Sequence, residues 1–290
     1  EAADRIVLRN LKIINDKKVV AMTLDGVRLD DGQTLGWDEI ETGRLDGGRQ
    51  ELFDKYLKNI GIHLFRIRQR LENGDYRSLT PSAEAIAKFY EQQEGETAYL
   101  VQQALMWGRL AQGQRAAAVA PYLRCFELLR GRNVGSLQLP GDRRLQYDPA
   151  SGLCDELPPI WFDAAAAKAA LPEVSKAIAQ MSQPRPGATR VYYASLALAA
   201  GDEAAATRAL AGLPAGNSRL EQLRLILEAN REIAAGKPAA KARELSGKLG
   251  QLEAANKPLA RYWLGMAQTS AESAAEKRQG VLQLLHLPAG

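Results

Sequence analysis

The chain has 290 residues, of which 46% are hydrophobic and 25% charged, enough apolar content to bury a sizeable core. Its formal charge of +4 is unevenly spread: residues 1–50 carry 8 Lys/Arg against 10 Asp/Glu, a net −2, and the remainder carries +6. No apolar run approaches the roughly 18–20 residues of a membrane span. So mild a positive balance is also not the mark of a nucleic-acid binder, which concentrates its charge on one face.

The opening residues Glu1-Ala2-Ala3-Asp4 suit the trimmed end of an exported chain and equally a cloning choice, so a periplasmic or secreted protein is the expectation and a cytoplasmic one the alternative. Cys125 and Cys154 are the only cysteines, an even pair that an oxidising compartment would allow to bridge.

From Arg5 to about Trp37 the pattern is β. Arg5–Ile14 and Val19–Leu24 are rich in β-branched residues, and Asp25-Gly26 and Asp31-Gly32 punctuate them. Asp-Gly between short apolar runs predicts tight hairpins, because both residues tolerate a positive φ. Three or four short antiparallel strands follow, too few to stand alone without a neighbour or a closed barrel. In outline the module over residues 1–48 resembles a small SH3-like or Sm-like barrel.

Asp46-Gly47-Gly48 reads as a hinge, and beyond it the period becomes helical: Leu52, Phe53, Tyr56, Leu57, Ile60 and Leu64 recur at spacings of three and four. The second domain, 49–290, consists of helix pairs. One helix runs to Leu71 and stops at Asn73-Gly74, and the next starts with Thr80 as N-cap and Pro81 in the first turn, burying Ile86, Phe89 and Tyr90. A second pair spans Thr97–Arg130 around Gly113, with Pro121 predicting a kink or a late start in its second helix. Asp163 is a good N-cap for Ala164–Ala170, with a restart after Pro172. Val191–Leu213 is the best-formed hairpin, turning at Gly201-Asp202. Leu220–Ala235 with Ala239–Leu252, and Pro258–Gln268 with Ser273–Leu287, complete the series.

The helical series is interrupted at 131–161, where four prolines and four glycines break the period and a small hairpin across Pro140-Gly141 is the only regular element expected. A structureless stretch this long inside a compact domain is usually functional or disordered, and its aromatic and apolar residues argue against disorder.

Aligned on the turn glycines Gly74, Gly113, Gly201 and Gly236, the chain resembles the tetratricopeptide repeat. In that family small residues bring the two helices of a pair together, and here Ala194 and Ala206 flank Gly201 while Ala229 and Lys241-Ala242 flank Gly236. Tyr262-Trp263-Leu264-Gly265 is similar to the family's Leu-Gly step. The match weakens at Gly74, flanked by Ile67 and Leu79, and at Gly113, flanked by Met106 and Ala118. The resemblance implies a mainly α protein, an α–α superhelix of tetratricopeptide-like hairpins preceded by the small β module, whose concave face takes a protein or peptide.

Catalytic signatures are absent: there is no Walker loop, no Gly-x-Ser-x-Gly elbow, no His-Glu-x-x-His helix and no Cys-x-x-Cys. His63 and His286 alone make no histidine-rich metal site, so neither metal nor cofactor is expected. Arg66, Arg68 and Arg70 point to different faces of one helix, a solvated pattern. Cys125 lies on the apolar face of its helix and reads as a buried structural thiol, with a Cys125–Cys154 disulfide pinning the loop as the sharper alternative. Asp148, Asp155, Glu156 and Asp163 around the loop invite a glycosidase-type reading, although loops are ordinarily rich in Asp and Glu.

The function expected is therefore non-catalytic: a protein–protein interaction scaffold, with Arg130, Arg132, Arg143, Arg144, Tyr147 and Trp161 around the loop as its anchors, since arginine and aromatic residues dominate interface energetics. Removing Ser136–Ala150 is then expected to spare the fold. A binder of an anionic polymer, nucleic acid or cell-wall glycan, through the same arginines is the alternative, and a hydrolase using the loop carboxylates is third. Nucleic acid itself is not the expected partner.

Overall fold

A computed structural model describes residues 4–130, 136–138, 144–236 and 240–287, with the backbone alone at 136–138 and 144–145. The protein is mainly α, with 61% helix among the described residues, and has an N-terminal region of two small antiparallel sheets. Two compact units are present, one built on residues 4–114 and 124–130, the other on 115–123, 144–236 and 240–287.

The first unit opens with β1 (Arg5–Leu8), β2 (Ile13–Ile14), β3 (Val19–Met22), β4 (Val27–Leu29), β5 (Thr34–Leu35) and β6 (Ile40–Arg44). They form two three-stranded antiparallel sheets, ordered β2-β1-β6 and β3-β4-β5. The sequence suggests one small meander; two sheets form because β1 pairs with β6 across the intervening strands, Ile6 opposite Gly43 and Val7 opposite Thr42. The Asp-Gly turns fall as expected. Thr23 and Gly26 exchange backbone hydrogen bonds at the first, and at the second Gly32 has φ 86° while Leu29 N–H donates to Gln33 O.

The sheets bury Ile6, Leu8, Val27, Leu29, Leu35 and Trp37 in a core continuous with the helices that follow. Helix α1 (Gln50–Tyr56) runs through a π-helical turn, Leu57–Gly61, into α2 (Ile62–Glu72). Trp37 is the joint. Its indole stacks on Tyr56, 5.2 Å between centroids, lies 5.6 Å from Phe53, and donates from Nε1 to Thr23 O at 2.7 Å. Gly43 and Gly61 make this packing possible: a Cβ at Gly43 would sit 2.6 Å from the Phe53 ring, and one at Gly61 2.9 Å from Trp37 O. The β module therefore covers Phe53 and Tyr56, while Leu52 stays exposed.

The segment read as a hinge is tied down. Leu45 N–H donates to Gln50 Oε1, Asp46 N–H to Asp4 Oδ1, and the Arg49 guanidinium spans Val19 O and the Asp4 carboxylate.

Helices α3 (Leu79–Tyr90), α4 (Glu96–Ala111) and α5 (Arg115–Leu129) follow. Thr80 does not cap α3, because a 3₁₀ turn at Tyr76–Ser78 starts the helical path earlier. Thr80 is instead buried against Gly108, where a Cβ would meet its Oγ1 at 2.4 Å. Phe89, expected inside with Ile86 and Tyr90, is exposed. Pro121 lies inside α5 and does not delay its start.

Beyond the loop come β7 (Ser136–Gln138) and β8 (Arg144–Gln146), paired as a two-stranded sheet where a hairpin was expected; its turn lies outside the described residues. The second unit's helices are α6 (Ala164–Gln180), α7 (Gly187–Ala199), α8 (Glu203–Ala211), α9 (Ser218–Ala234), α10 (Ala240–Lys248), α11 (Lys257–Thr269) and α12 (Ala274–Leu285). Helix α6 runs through Pro172 without the predicted restart. Asp163, Asp202, Asn217 and Ser273 cap α6, α8, α9 and α12 with their side chains.

Consecutive helices pack in pairs, α7 on α8, α9 on α10 and α11 on α12, and α7 also packs on α6 and α9. The turn glycines share one conformation, φ 71° at Gly74, 77° at Gly113, 82° at Gly201 and 64° at Gly236. At Gly201 the hydrogen bonds are those of a Schellman cap, Asp202 N–H to Ala197 O at 2.8 Å and Gly201 N–H to Leu198 O at 3.1 Å. Gly74 and Gly113 repeat both bonds. Ala194, Ala206, Ala229 and Ala242 are buried at the predicted close approaches. In the last pair the helix backbones themselves meet closely: a Cβ on Gly280 would lie 2.7 Å from Thr269 N and 2.8 Å from Gly265 O.

Candidate functional site

Of the residues expected to anchor a partner, Arg132 and Arg143 lie outside the described residues, as does the side chain of Arg144. Arg130, at the end of α5, is ion-paired with Glu127 at 3.4 Å. Tyr147 is buried, bridging in antiparallel fashion to Cys154, and burial raises its phenol pKa. Trp161 is half-buried, its Nε1 donating to Ser195 Oγ of α7 at 2.9 Å. Trp161 thus ties the loop to α7, while Tyr147 pairs within the loop.

The rest of the described loop is equally committed. Asp148 accepts from Ala150 N–H, Ser151 N–H and Ser151 Oγ, which folds residues 148–152 into a turn. Tyr122 Oη donates to Gly152 O at 2.7 Å, Ala188 N–H donates to Ser151 O at 2.8 Å, and Cys154 N–H donates to Tyr192 Oη at 3.0 Å. Leu153, Cys154 and Leu157 are buried. A segment without a helical period is stable here because side chains of α5 and α7 satisfy its backbone groups, as burial demands.

The carboxylates are likewise spent separately. Asp155 pairs with Arg219 at 2.6 Å, Glu156 accepts from Gln146 N–H and the Cys154 thiol, and Asp163 caps α6.

Cys125 and Cys154 are both buried, each as a free thiol in this structure. Desolvation drives each thiol far above its ordinary pKa, and for Cys154 the nearby Glu156 carboxylate adds to the rise. Neither is an activated nucleophile, which needs the opposite shift. His63 is pushed down, chiefly by burial and then by Arg66. No cluster of three metal-ligating side chains occurs among the described residues.

What remains open is a groove of about 570 Å³ in the second unit, lined by α6, the Gln183–Arg185 connection, α7, α8 and the turn after α8. Three arginines face it, Arg185, Arg190 and Arg208, all exposed. The antiparallel return of α8 puts its C-terminal end beside the start of α7. Gly212 there has no side chain, so the Arg190 guanidinium lies against its Cα: a Cβ would be 2.1 Å from Nη1. Arg185 is steadied by Ala179 O at 3.4 Å. Among the described residues no carboxylate lines the groove or pairs with these arginines; Glu173 of α6 and Glu203 of α8 are not on its wall. Ile178, Ala205 and Ala209 give it an apolar floor, and Tyr193 and Gln183 bring neutral hydrogen-bonding groups. Nearby, Arg224 of α9 donates to Leu213 O and Arg231 to Thr207 Oγ1.

Sequence reasoning missed this groove. Gln183-Pro184-Arg185-Pro186-Gly187 registers as a break, and Arg190 and Arg208 are eighteen residues apart on helices read as plain packing elements. The available signal was that Arg190 and Arg208 flank a turn at Gly201 on two helices that must run antiparallel.

A second concavity of about 480 Å³ in the first unit is lined by Asp25, Asp38, Glu39 and Glu96, with Arg68 paired to Asp38.

No family model, curated protein or solved structure matches the chain.

Proposed function

We propose that the protein is a non-catalytic interaction scaffold, a degenerate tetratricopeptide-like array that captures a protein or peptide partner. The carrying observation is the groove on α6–α8, a preformed concavity whose arginines have no carboxylate of their own among the described residues. A concave site of roughly 300–1,000 Å³ with a few convergent polar groups is the usual form of a binding pocket. Arginine is also among the residues that dominate interface energy. The shared glycine caps at Gly74, Gly113 and Gly201, and the close approach of Gly265 to Gly280, support the repeat reading. In the described part of the loop Tyr147 is buried and Trp161 donates to Ser195 Oγ, so the α6–α8 groove is the more open surface for a partner.

The test is cross-linking on the full chain, identification of the cross-linked protein by mass spectrometry, and reconstitution with that protein purified. A saturable complex of fixed stoichiometry supports the reading. Failure of every identified protein to re-form a complex removes it. An exported setting remains part of the proposal and is checked by fractionating cells that express the chain from its own gene.

A further inference from the structure

We infer that the α6–α8 groove is an acidic-peptide site: it receives an extended segment carrying closely spaced carboxylates, which pair with Arg185, Arg190 and Arg208. This rests on the interaction reading above and names the partner's chemistry.

Charge carries the inference. Three guanidinium groups converge on one concavity with no lining carboxylate, so the groove is a local positive field between low-dielectric walls, where counter-ions are concentrated. Guanidinium is the group whose planar fork matches a carboxylate in two parallel hydrogen bonds. Arg190 is held for this by the close contact of its guanidinium with Gly212, which reduces the ordering cost of binding.

The remaining lining selects a peptide over a small anion. Ile178, Ala205 and Ala209 give apolar surface that inorganic phosphate cannot use but that methylene groups of Glu side chains and a peptide backbone can cover. Tyr193 and Gln183 supply the hydroxyl and amide that an extended backbone pairs with. Three arginines on one groove suit a ligand with more than one acidic residue.

The probe is a labelled peptide of alternating Glu and Gly, titrated by fluorescence anisotropy into the full chain, beside the same peptide with Gln for Glu. The expected result is saturable binding of the Glu peptide alone, weakening as salt is raised. Arg190→Gln with Arg208→Gln should weaken it by about tenfold or more. The charge-matched control on α12, Lys277→Gln with Arg278→Gln, should leave it within about twofold. If the first pair lowers the melting temperature, Arg185→Gln with Arg208→Gln takes its place, since it spares the Arg190–Gly212 contact.

No binding of the Glu peptide overturns the inference, as does equal binding of the Gln peptide or equal loss in the α12 control. Displacement by inorganic phosphate at the concentration at which unlabelled Glu peptide displaces also overturns it, in favour of a small-anion site. A purified partner that binds normally to the Arg190→Gln, Arg208→Gln chain removes the groove assignment and leaves the interaction reading standing. Absence of any reconstituted partner removes the interaction reading while the peptide titration is still decided on its own result.

Discussion

The Asp4 carboxylate is 3% exposed and both its oxygens lie 3.0 Å from Arg49 Nη2. The same carboxylate accepts from Val19 N–H and Asp46 N–H, so one buried group joins the start of β1, the start of β3 and the entry to α1. Asp4→Ala strands two amide donors and a guanidinium at once. The expected loss is about 2–4 kcal/mol. Glu41→Ala, which breaks the exposed pair with Arg9, should cost under about 1 kcal/mol. Urea unfolding midpoints compare the two, and equal shifts would deny Asp4 its role.

Two tyrosine hydroxyls decide whether the loop is structural. Tyr122 holds Gly152 O and Tyr192 holds Cys154 N–H, with the rings edge-to-face at 6.0 Å. Phenylalanine at either position keeps the ring and removes the hydroxyl, leaving a buried backbone group unpaired at about 1–3 kcal/mol. Amide exchange at Leu153 and Cys154 should accelerate in Tyr192→Phe. By the same argument, deleting Ser136–Ala150, which removes Tyr147 and the Asp148 turn, should lower the melting temperature by several degrees; an unchanged melt would restore the loop as a dispensable contact.

Gly280 and Gly247 are both helical glycines with opposite expectations. A Cβ at Gly280 strikes the α11 backbone at 2.7 Å, whereas one at Gly247 meets nothing within 4 Å. Gly280→Ala should therefore cost about 1–3 kcal/mol through forced separation of α11 and α12. Gly247→Ala should be neutral or stabilise by up to about 1 kcal/mol. Thermal unfolding of the two variants followed by circular dichroism gives the comparison.

Burial that raises both thiol pKa values also shields them. Iodoacetamide at pH 8 should leave Cys125 and Cys154 of the folded chain largely unmodified, and add two groups promptly after denaturation in guanidinium without reductant. Two adducts appearing only after reductant would mean that the cysteines are bridged.

His63 has a lowered pKa in the folded chain, first from burial and then from Arg66. The unfolded chain therefore takes up the proton first as the pH falls. The contribution of neutral His63 is fully present above about 6.5 and diminishes as pH drops below that value, levelling off beneath the folded-state pKa. Between pH 7.5 and 5.5 the native chain should lose more stability than His63→Asn. Parallel pH profiles would exclude His63 as the source.

Periodicity and turn chemistry determined the class and most of the helix pairs from sequence alone, because both are local. A 3.6-residue repeat of apolar side chains needs one buried face whatever covers it. A glycine after the last helical turn caps that helix wherever the pair ends up, and Gly74, Gly113, Gly201 and Gly236 behave alike for that reason. The two Asp-Gly turns belong with them. Tertiary structure alone decided the rest. The pairing of β1 with β6 joins residues more than thirty positions apart, and no local signal encodes it. Tyr147 and Trp161 have the composition of interface anchors, and that one bridges to Cys154 and the other bonds Ser195 is visible only in the fold. Arg190 and Arg208 look like ordinary helix-surface arginines until α8 folds back on α7 and puts both, with Arg185, around one groove. Burial and charge convergence depend on which chain segments meet in space, so the fold class could be read along the chain and the candidate site could not.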